Sequence, residues 1–432
     1  MESIWHEETK MPSFPALHGD KHTDVLIIGG GIAGILTAYF LKANGVECVV
    51  AEKGKICSGT TGNTTAKITS QHGLIYAKLL KSVGAENARK YLCANENALR
   101  RYEIMSRKID CGFEVKDSFV YSVDDKKKLE DELRALDKIG FKAGFAESVP
   151  LPVKTVGAVR FPNQAQFNVL KFLCAVSKAL TIFENTFVRE MIGTVAVTDT
   201  GRIFAKKTVC TTHFPFINKH GLYPLKLYQH RSYVIALENA GDVNGMYVDE
   251  KKTGLSFRNY GNLLFIGGGG HRTGKKGGNW EELRRFQKLH YPNAKEKAFW
   301  SAQDCMSLDS VPYVGQYSKN TPDFFVATGF NKWGMTGSMA AAEILTDLIL
   351  GKPNDFADLF SPSRSMLRPQ LAVNGFESVV GLLTPSKKRC PHLGCALKYN
   401  KVEHSWDCSC HGSRFSESGR VLDNPANGNL KK

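Results

Sequence analysis

The sequence predicts an α/β protein of more than one domain, and three observations carry that reading. The run Asp24–Lys53, "DVLIIGGGIAGILTAYFLKANGVECVVAEK", orders a strand, a glycine turn, a helix and a second strand. The run Phe324–Gly351, "FFVATGFNKWGMTGSMAAAEILTDLILG", repeats strand, glycine-rich loop and helix far along the chain. At 432 residues the chain exceeds one ordinary core.

Composition narrows the class. Hydrophobic content of 42% and charged content of 23% describe a globular protein, not a disordered one. The net charge of +15 comes from 57 Lys and Arg against 42 Asp and Glu. It reads as a lysine-rich solvated surface. Lys126, Lys127 and Lys128, for example, open a helix-like stretch with Leu129, Leu133 and Leu136 on one face. No nucleic-acid-binding module accompanies the charge, which argues against that partner. Met1–Lys10 carries Glu2, Glu7 and Glu8, unlike a secretory signal, and a cytoplasmic location with reduced cysteines is expected. The longest uncharged run, Val25–Leu41, has 17 residues broken by four glycines, so no transmembrane segment is expected.

Each element at the front has a role. Val25–Ile28 is a short apolar run suited to a buried parallel strand. Gly29, Gly31 and Gly34 then form G-x-G-x-x-G, Ile32–Ala43 continues as an apolar helix, and Gly45 ends it. Such glycines make a tight turn, admit a pyrophosphate to the backbone and let helix and strand pack closely. The helix N-terminus supplies positive potential for phosphates. Glu47–Ala51 is the second strand, closing at Glu52, 18 residues past Gly34, where a carboxylate receives ribose hydroxyls. A dinucleotide site follows. The stretch after Glu52, "GKICSGTTGNTTAKITSQHG", is polar and small, and the later strand Phe324–Ala327 leads to a helix expected near Gly337. A second helix N-terminus therefore meets the cofactor far from the first, which suits a long cofactor.

These stretches resemble the D-amino-acid-oxidase/glycine-oxidase superfamily of FAD-dependent oxidoreductases, over roughly Asp24 to Gly351. The resemblance is specific in the N-terminal fingerprint, in "TTGNTTAKIT" and in "DSVPYVG" with "ATGFNKWGMT". It implies a Rossmann-type FAD-binding domain with an antiparallel-sheet substrate domain that includes "RSYVIAL" and "LLFIGGGG". Thr60, Thr61, Thr65, Ala66, Lys67 and Ile68 match flavin-lining positions, and Val188 matches an adenine contact. The loop Gly329–Thr336, with Lys332, Trp333, Gly334 and Met335, would set backbone N–H groups against the flavin pyrimidine. In members resembling glycine oxidase, an arginine five residues before the Asp of D-x-x-P-x-x-G clamps the substrate carboxylate. Here that Asp is Asp309, and five residues earlier stands Asp304. A carboxylate repels a carboxylate. Lys332 and Arg258 remain as cations for an anion site, and simple α-amino acids are expected to be poor substrates. The strand Asn262–Ile266 lacks the lysine that several oxidases of the superfamily place over the flavin, so oxygen is expected to be a poor acceptor.

The tail poses a separate question. "CPHLGCALKYNKVEHSWDCSCHGSRF", Cys390–Phe415, sets Cys390-x-His392 and Cys408-x-x-His411 apart by 15 residues. Two thiolates and two imidazoles satisfy tetrahedral zinc. They equally satisfy a [2Fe–2S] centre with Cys on one iron and His on the other, which needs one Cys and one His from each loop. The stretch resembles the Rieske signature in detail, including Leu393-Gly394-Cys395 and Cys410, Gly412, Ser413 and Phe415. That resemblance implies Cys390, His392, Cys408 and His411 as cluster ligands and a Cys395–Cys410 disulfide. His404 lies outside the pattern. Only 39 residues separate Leu350 from Cys390, with "SPSRSMLRPQ" as linker and "LAVNGFESVVGLL" as a short helix, so the small Rieske-like β module is expected to lean on the flavin domain.

The expected division is a flavin domain at 22–360, a linker at 361–386 and a cluster module at 387–432. Within the first, the cofactor part takes about 22–85, 150–215 and 300–352, and the substrate part about 86–149 and 216–299. The expected activity is oxidation of an amine or amino-acid-like substrate by hydride transfer to flavin N5. Electrons then leave singly through the cluster to a one-electron carrier protein or quinone-like acceptor. The alternatives are a reductase fed through the cluster, and a non-enzymatic electron-transfer or redox-sensing flavoprotein.

Overall fold

The apolar run at Val25 becomes the middle of a parallel sheet. The computed structural model describes residues 2–251 and 253–431. In it, Lys21–Ile28 lies between Arg202–Cys210 and Cys48–Ala51, parallel to both, with Leu26 and Ile27 fully buried. The order across the sheet is Tyr313–Gln316, Phe324–Thr328, Arg202–Cys210, Lys21–Ile28, Cys48–Ala51 and Ile182–Phe183. Only Tyr313–Gln316 runs antiparallel in that row. A hairpin, Val188–Ile192 with Val195–Thr198, joins along Arg202–Cys210. The helices Ile32–Ala43 and Gly334–Ile349 pack against each other beside the sheet. The second helix starts three residues earlier than expected. Asn331 and Lys332 take positive φ (53° and 73°), the chain reverses there, and Gly334 is already helical.

The second sheet has nine strands and is mainly antiparallel. "RSYVIAL" and "LLFIGGGG" pair as expected, with Val234 opposite Gly267. The strands Gly157–Gln166 and Lys295–Ser307 belong to this sheet. The cofactor-part stretches that begin at 150 and 300 therefore open on strands of the substrate sheet. The physical reason is length. A strand of 13 residues, at about 3.4 Å each, runs along the second sheet and reaches Thr60 through its Gln303 carbonyl.

The tail folds as the helix Pro369–Leu383 followed by a four-stranded antiparallel meander, Leu397–Asn400, Ser405–Cys408, Arg414–Ser416 and Val421–Asp423. Proline at the first helical position is favourable because its missing N–H is an orphan there anyway. The stretch before the helix is pinned rather than loose: Arg364 donates to both carboxylate oxygens of Asp309 at 2.8 Å. Among the described residues no helix is long and apolar enough to cross a membrane.

Candidate functional site: a long cavity and a cysteine–histidine centre

The glycine turn is built as its spacing requires. Gly29 has φ +113°, and a Cβ on Gly34 would fall 2.0 Å from the Gly29 carbonyl oxygen, so only glycine permits this approach of helix to turn. Gly31, at the helix N-cap, offers no side chain, and Thr61 Oγ1 accepts the Ile32 N–H at 3.0 Å instead. A threonine from the expected flavin stretch thus caps the dinucleotide helix. Glu52 accepts the N–H groups of Gly30 (2.8 Å) and Gly54 (2.9 Å). Burial pushes its carboxyl up, and those two bonds pull the other way.

From this turn a cavity of about 900 Å³ extends toward both sheets. Gly29, Gly31, Glu52, Thr60, Thr61 and Val188 line one part. Thr65, Lys67, Asp304, Lys332, Trp333, Gly334 and Met335 line another. Gly34, Ala66, Ile68, Gly329 and Thr336 are not part of the lining. Thr336 Oγ1, for instance, donates to the Thr69 carbonyl at 3.0 Å.

Arg258 requires a correction. It is fully buried and absent from the cavity lining; its Nη1 donates to the carbonyls of Thr65 (2.6 Å) and Ala66 (3.0 Å). Burial pulls it down to about 9. It holds the backbone at Thr65 and Ala66, where both carbonyls accept its Nη1, instead of facing the cavity. Lys67 does face the cavity. Its Nζ donates to Thr65 Oγ1 at 3.2 Å, and burial, then the Arg258 charge, lower it to about 7. Asp304 accepts from Ser232 Oγ at 3.2 Å at the cavity wall.

Sequence reasoning missed His72. Its ring stacks on Trp333 (centroids 5.0 Å apart, 14° between planes) and bonds to Tyr91 Oη (2.7 Å) and Thr336 Oγ1 (3.0 Å). Burial pushes it down to about 3, so it is neutral. It stood inside the flavin stretch as "TSQHG", but a lone histidine carries no spacing signal.

The tail brings its four expected ligands together. Two matching turns, Gly394 N–H to Cys390 O and Gly412 N–H to Cys408 O, both 2.9 Å, present one Cys and one His each. The His392 and His411 rings lie 5.0 Å apart at 84°. Both Nδ1 atoms are buried without a hydrogen-bond partner, while His392 Nε2 meets Asn218 Oδ1 at 2.9 Å. Burial pushes His392 down to about 3, keeping it in the neutral, ligating form. Hydrogen bonds from Cys390, Cys395 and Cys410 pull the Cys408 thiol well down, which favours a thiolate there. Two orphaned imidazole nitrogens and two thiols from facing loops fit a Cys₂His₂ cluster. The disulfide is a correction. Cys395 and Cys410 are free thiols, and with Cys408 their sulfurs lie within 4.8 Å. His404 stands apart, exposed and 3.3 Å from Glu417.

The two centres share walls. Thr60 Oγ1 donates to the Gln303 carbonyl (2.9 Å), and Gln303 Nε2 donates to the Gly412 carbonyl (2.8 Å) and to Gln229 Oε1 (2.7 Å). Gln229 Nε2 in turn donates to the His411 carbonyl (2.9 Å). A second bridge is four residues long. Thr211 Oγ1 donates to the Gly29 carbonyl (3.0 Å), and the buried Phe214 ring lies 6.4 and 6.2 Å from the His392 and His411 rings. None of Gln229, Gln303 or Phe214 belongs to a motif, and no sequence signal marked them.

A glycine turn at a helix N-terminus, a long cavity under an antiparallel sheet and an appended Cys₂His₂ centre define a dinucleotide-dependent oxidoreductase with an iron–sulfur module. Residues 24–348 match the DAO family of FAD-dependent oxidoreductases, and residues 376–432 match the Rieske [2Fe–2S] domain. The chain belongs to the DAO family: it is an FAD-dependent oxidoreductase with a C-terminal Rieske domain, and its cofactors are FAD and a [2Fe–2S] cluster. It is 34% identical to YhfW of Bacillus subtilis (strain 168), named as a Rieske 2Fe-2S iron-sulfur protein, over 100% of this chain and 97% of YhfW. Among solved structures it is similar to glycine oxidase from Geobacillus kaustophilus (TM-score 0.68, 20% identical, 80% of this chain and 100% of that one). It is likewise similar to L-proline dehydrogenase from P. horikoshii (TM-score 0.67, 18% identical, 80% and 98%). These two likenesses concern the fold.

Proposed function

We propose that the protein oxidises an amine or amino-acid-like small molecule at the flavin and passes the electrons one at a time through the Rieske cluster to a one-electron carrier or quinone-like acceptor. FAD supplies a two-electron hydride acceptor and the cluster a one-electron carrier. The observation that carries the reading is the continuity of the two sites through Gln303, Gln229 and the His411–Gly412 loop. Glycine oxidase and L-proline dehydrogenase share this fold, which supports the substrate class.

The chain's own residues have these roles. Gly29, Gly31 and Gly34 admit the pyrophosphate, and Glu52 receives the ribose. Thr60, Thr61, Thr65 and Trp333 bound the flavin region. Lys67, brought close to neutrality by burial, takes a proton from a bound substrate ammonium. Asp304 attracts a cationic amine and repels a carboxylate placed beside it, and Lys332 holds an acid oriented the other way.

An anaerobic substrate screen tests this. A good substrate bleaches the flavin, and the reduced-cluster EPR signal follows within the same turnover. A bleached flavin beside a cluster that stays oxidised would disprove the relay. Rapid reduction by glycine or D-alanine would disprove the role given to Asp304.

A further inference from the structure

The helix Pro369–Leu383 is turned inside out. Its polar and small residues face the protein: Asn374 and Gly381 are buried. Asn374 donates to the Leu225 carbonyl and accepts from Arg272 Nη1, both at 3.1 Å, and Glu377 pairs with Lys275 at 2.7 Å. A Cβ on Gly381 would fall 2.3 Å from Cys410 Sγ, so this face seats the helix directly on the cluster loops. The apolar residues point outward. Val373, Phe376, Val379 and Leu383 are 47%, 67%, 53% and 77% exposed, and steps of three and four place them in one stripe. A helix on a globular protein ordinarily buries that stripe.

The exposure is concentrated here. Of the 16 large hydrophobic residues exposed among the described residues, eight fall within Leu367–Leu393. A contiguous patch of this kind marks an interaction site. It borders the cluster, because Leu393 directly follows His392. Charge identifies the occupant. Between Ser361 and Leu393 the chain has five Lys or Arg and one acid, Glu377, whose carboxylate is turned inward to Lys275. Arg364 is likewise turned inward to Asp309, leaving Arg368, Lys387, Lys388 and Arg389 at the rim.

We propose that this face lies on an anionic lipid bilayer, with the helix Pro369–Leu383 in the interfacial plane and the His392–Leu393 loop against the headgroups. An apolar stripe edged by cations is the pattern of an interfacial helix, which gains from acyl burial and from attraction to anionic lipid together. At 15 residues the helix is too short to span the hydrocarbon core, so it lies on the membrane. A twofold contact between copies would set the cationic rims against each other. The proposal rests on the surface alone and does not depend on the electron relay.

Vesicle binding tests it without turnover. Full-length holoprotein is sedimented with vesicles of phosphatidylcholine alone, or of phosphatidylcholine with phosphatidylglycerol. The expected result is binding to the anionic vesicles about tenfold tighter than to the neutral ones, weakened by salt. Phe376→Asp/Leu383→Asp should lose binding to both, and Lys387→Glu/Lys388→Glu should lose only the preference for anionic lipid. FAD content and cluster absorbance should be the same in wild type and both double variants, since Phe376, Leu383 and Lys387 are exposed and Lys388 only overlies the Trp406 ring. Wild-type protein that stays in the supernatant with both vesicles overturns the proposal, as does an Asp variant that binds like wild type. A concentration-dependent dimer dispersed by Phe376→Asp, without vesicle binding, overturns it in favour of a second copy.

Discussion

Glu403 is the residue on which docking of the cluster module turns. It leaves the turn between Leu397–Asn400 and Ser405–Cys408 and enters the substrate sheet almost fully buried. There it accepts from Arg231 Nε (3.0 Å), Tyr233 Oη (2.8 Å), Ser301 Oγ (3.0 Å) and, from its own module, Arg414 Nη2 (2.9 Å). Burial raises its carboxyl, but the Arg231 and Arg414 charges win and bring it to about 2 from an ordinary 4.5. A depression of that size corresponds to about 3 kcal/mol of stability. The sign follows from the direction: the contribution is complete above the unfolded value near 4.5 and is lost as pH falls through about 2. Glu403→Gln keeps the shape, removes the charge and leaves two guanidinium groups buried with less compensation. The expected cost at pH 7 is about 3 kcal/mol by urea unfolding. Cluster absorbance should be lost at lower urea than flavin absorbance, because the module detaches first. A Glu403→Gln protein within about 0.5 kcal/mol of wild type, with coincident transitions, would refute the reasoning.

Three further outcomes are expected. Cys390→Ser should lose iron and keep FAD, whereas Gly34→Ala should lose FAD and keep iron, because its Cβ strikes the Gly29 carbonyl and leaves both Cys/His turns intact; cofactor analysis of each variant checks this. The cluster potential should lie within roughly −150 to +300 mV and fall as pH rises, since ligated imidazoles ionise more readily on oxidised iron; a potential flat with pH argues against His392 and His411 as ligands. The rate of flavin reduction should rise through pH about 7 as Lys67 loses its proton, and the step should vanish in Lys67→Met. The same amine gives folding a pH slope: the unfolded chain keeps it protonated up to its ordinary 10.5, so stability rises between about 7 and 10.5, and the Met variant should lose that rise.

What the sequence revealed depended on how local each signal was. The strand, turn and helix at Val25–Ala43 and the two Cys/His boxes are local patterns whose spacing marks each turn. The substrate sheet was legible as strands but not as boundaries, since Gly157–Gln166 and Lys295–Ser307 carry no mark of which sheet they join. Arg258 was misplaced for a related reason. A cation in a strand, here between Phe257 and Asn259, has two faces to choose from, and the choice was made by the Thr65 and Ala66 carbonyls, nearly 200 positions away. Glu403, Gln229, Gln303 and Phe214 were invisible because each gains its role from a partner in the other domain.

Those same four residues explain how so short a cluster module stands. Its own apolar core is small, seven buried residues of which four are the cysteines at the cluster site. A core of that size cannot by itself fix two loops and two histidines. The flavin domain provides the missing base: Arg272 donates to the Ser409 and Cys410 carbonyls (3.1 and 3.0 Å), Gln229 to those of His411 and Asn424, and Asn218 meets the His392 ring. Lys53, next to Glu52 in the cavity lining, also reaches the Leu422 carbonyl at 3.2 Å. Docking and the cavity lining therefore share residues, and detaching the module should loosen FAD as well as expose the cluster. An Arg272→Met protein measures this directly. Its FAD should dissociate faster than in wild type, although Arg272 touches neither the glycine turn nor Glu52. An unchanged FAD off-rate, with the cluster already lost, would show that the two sites are only neighbours.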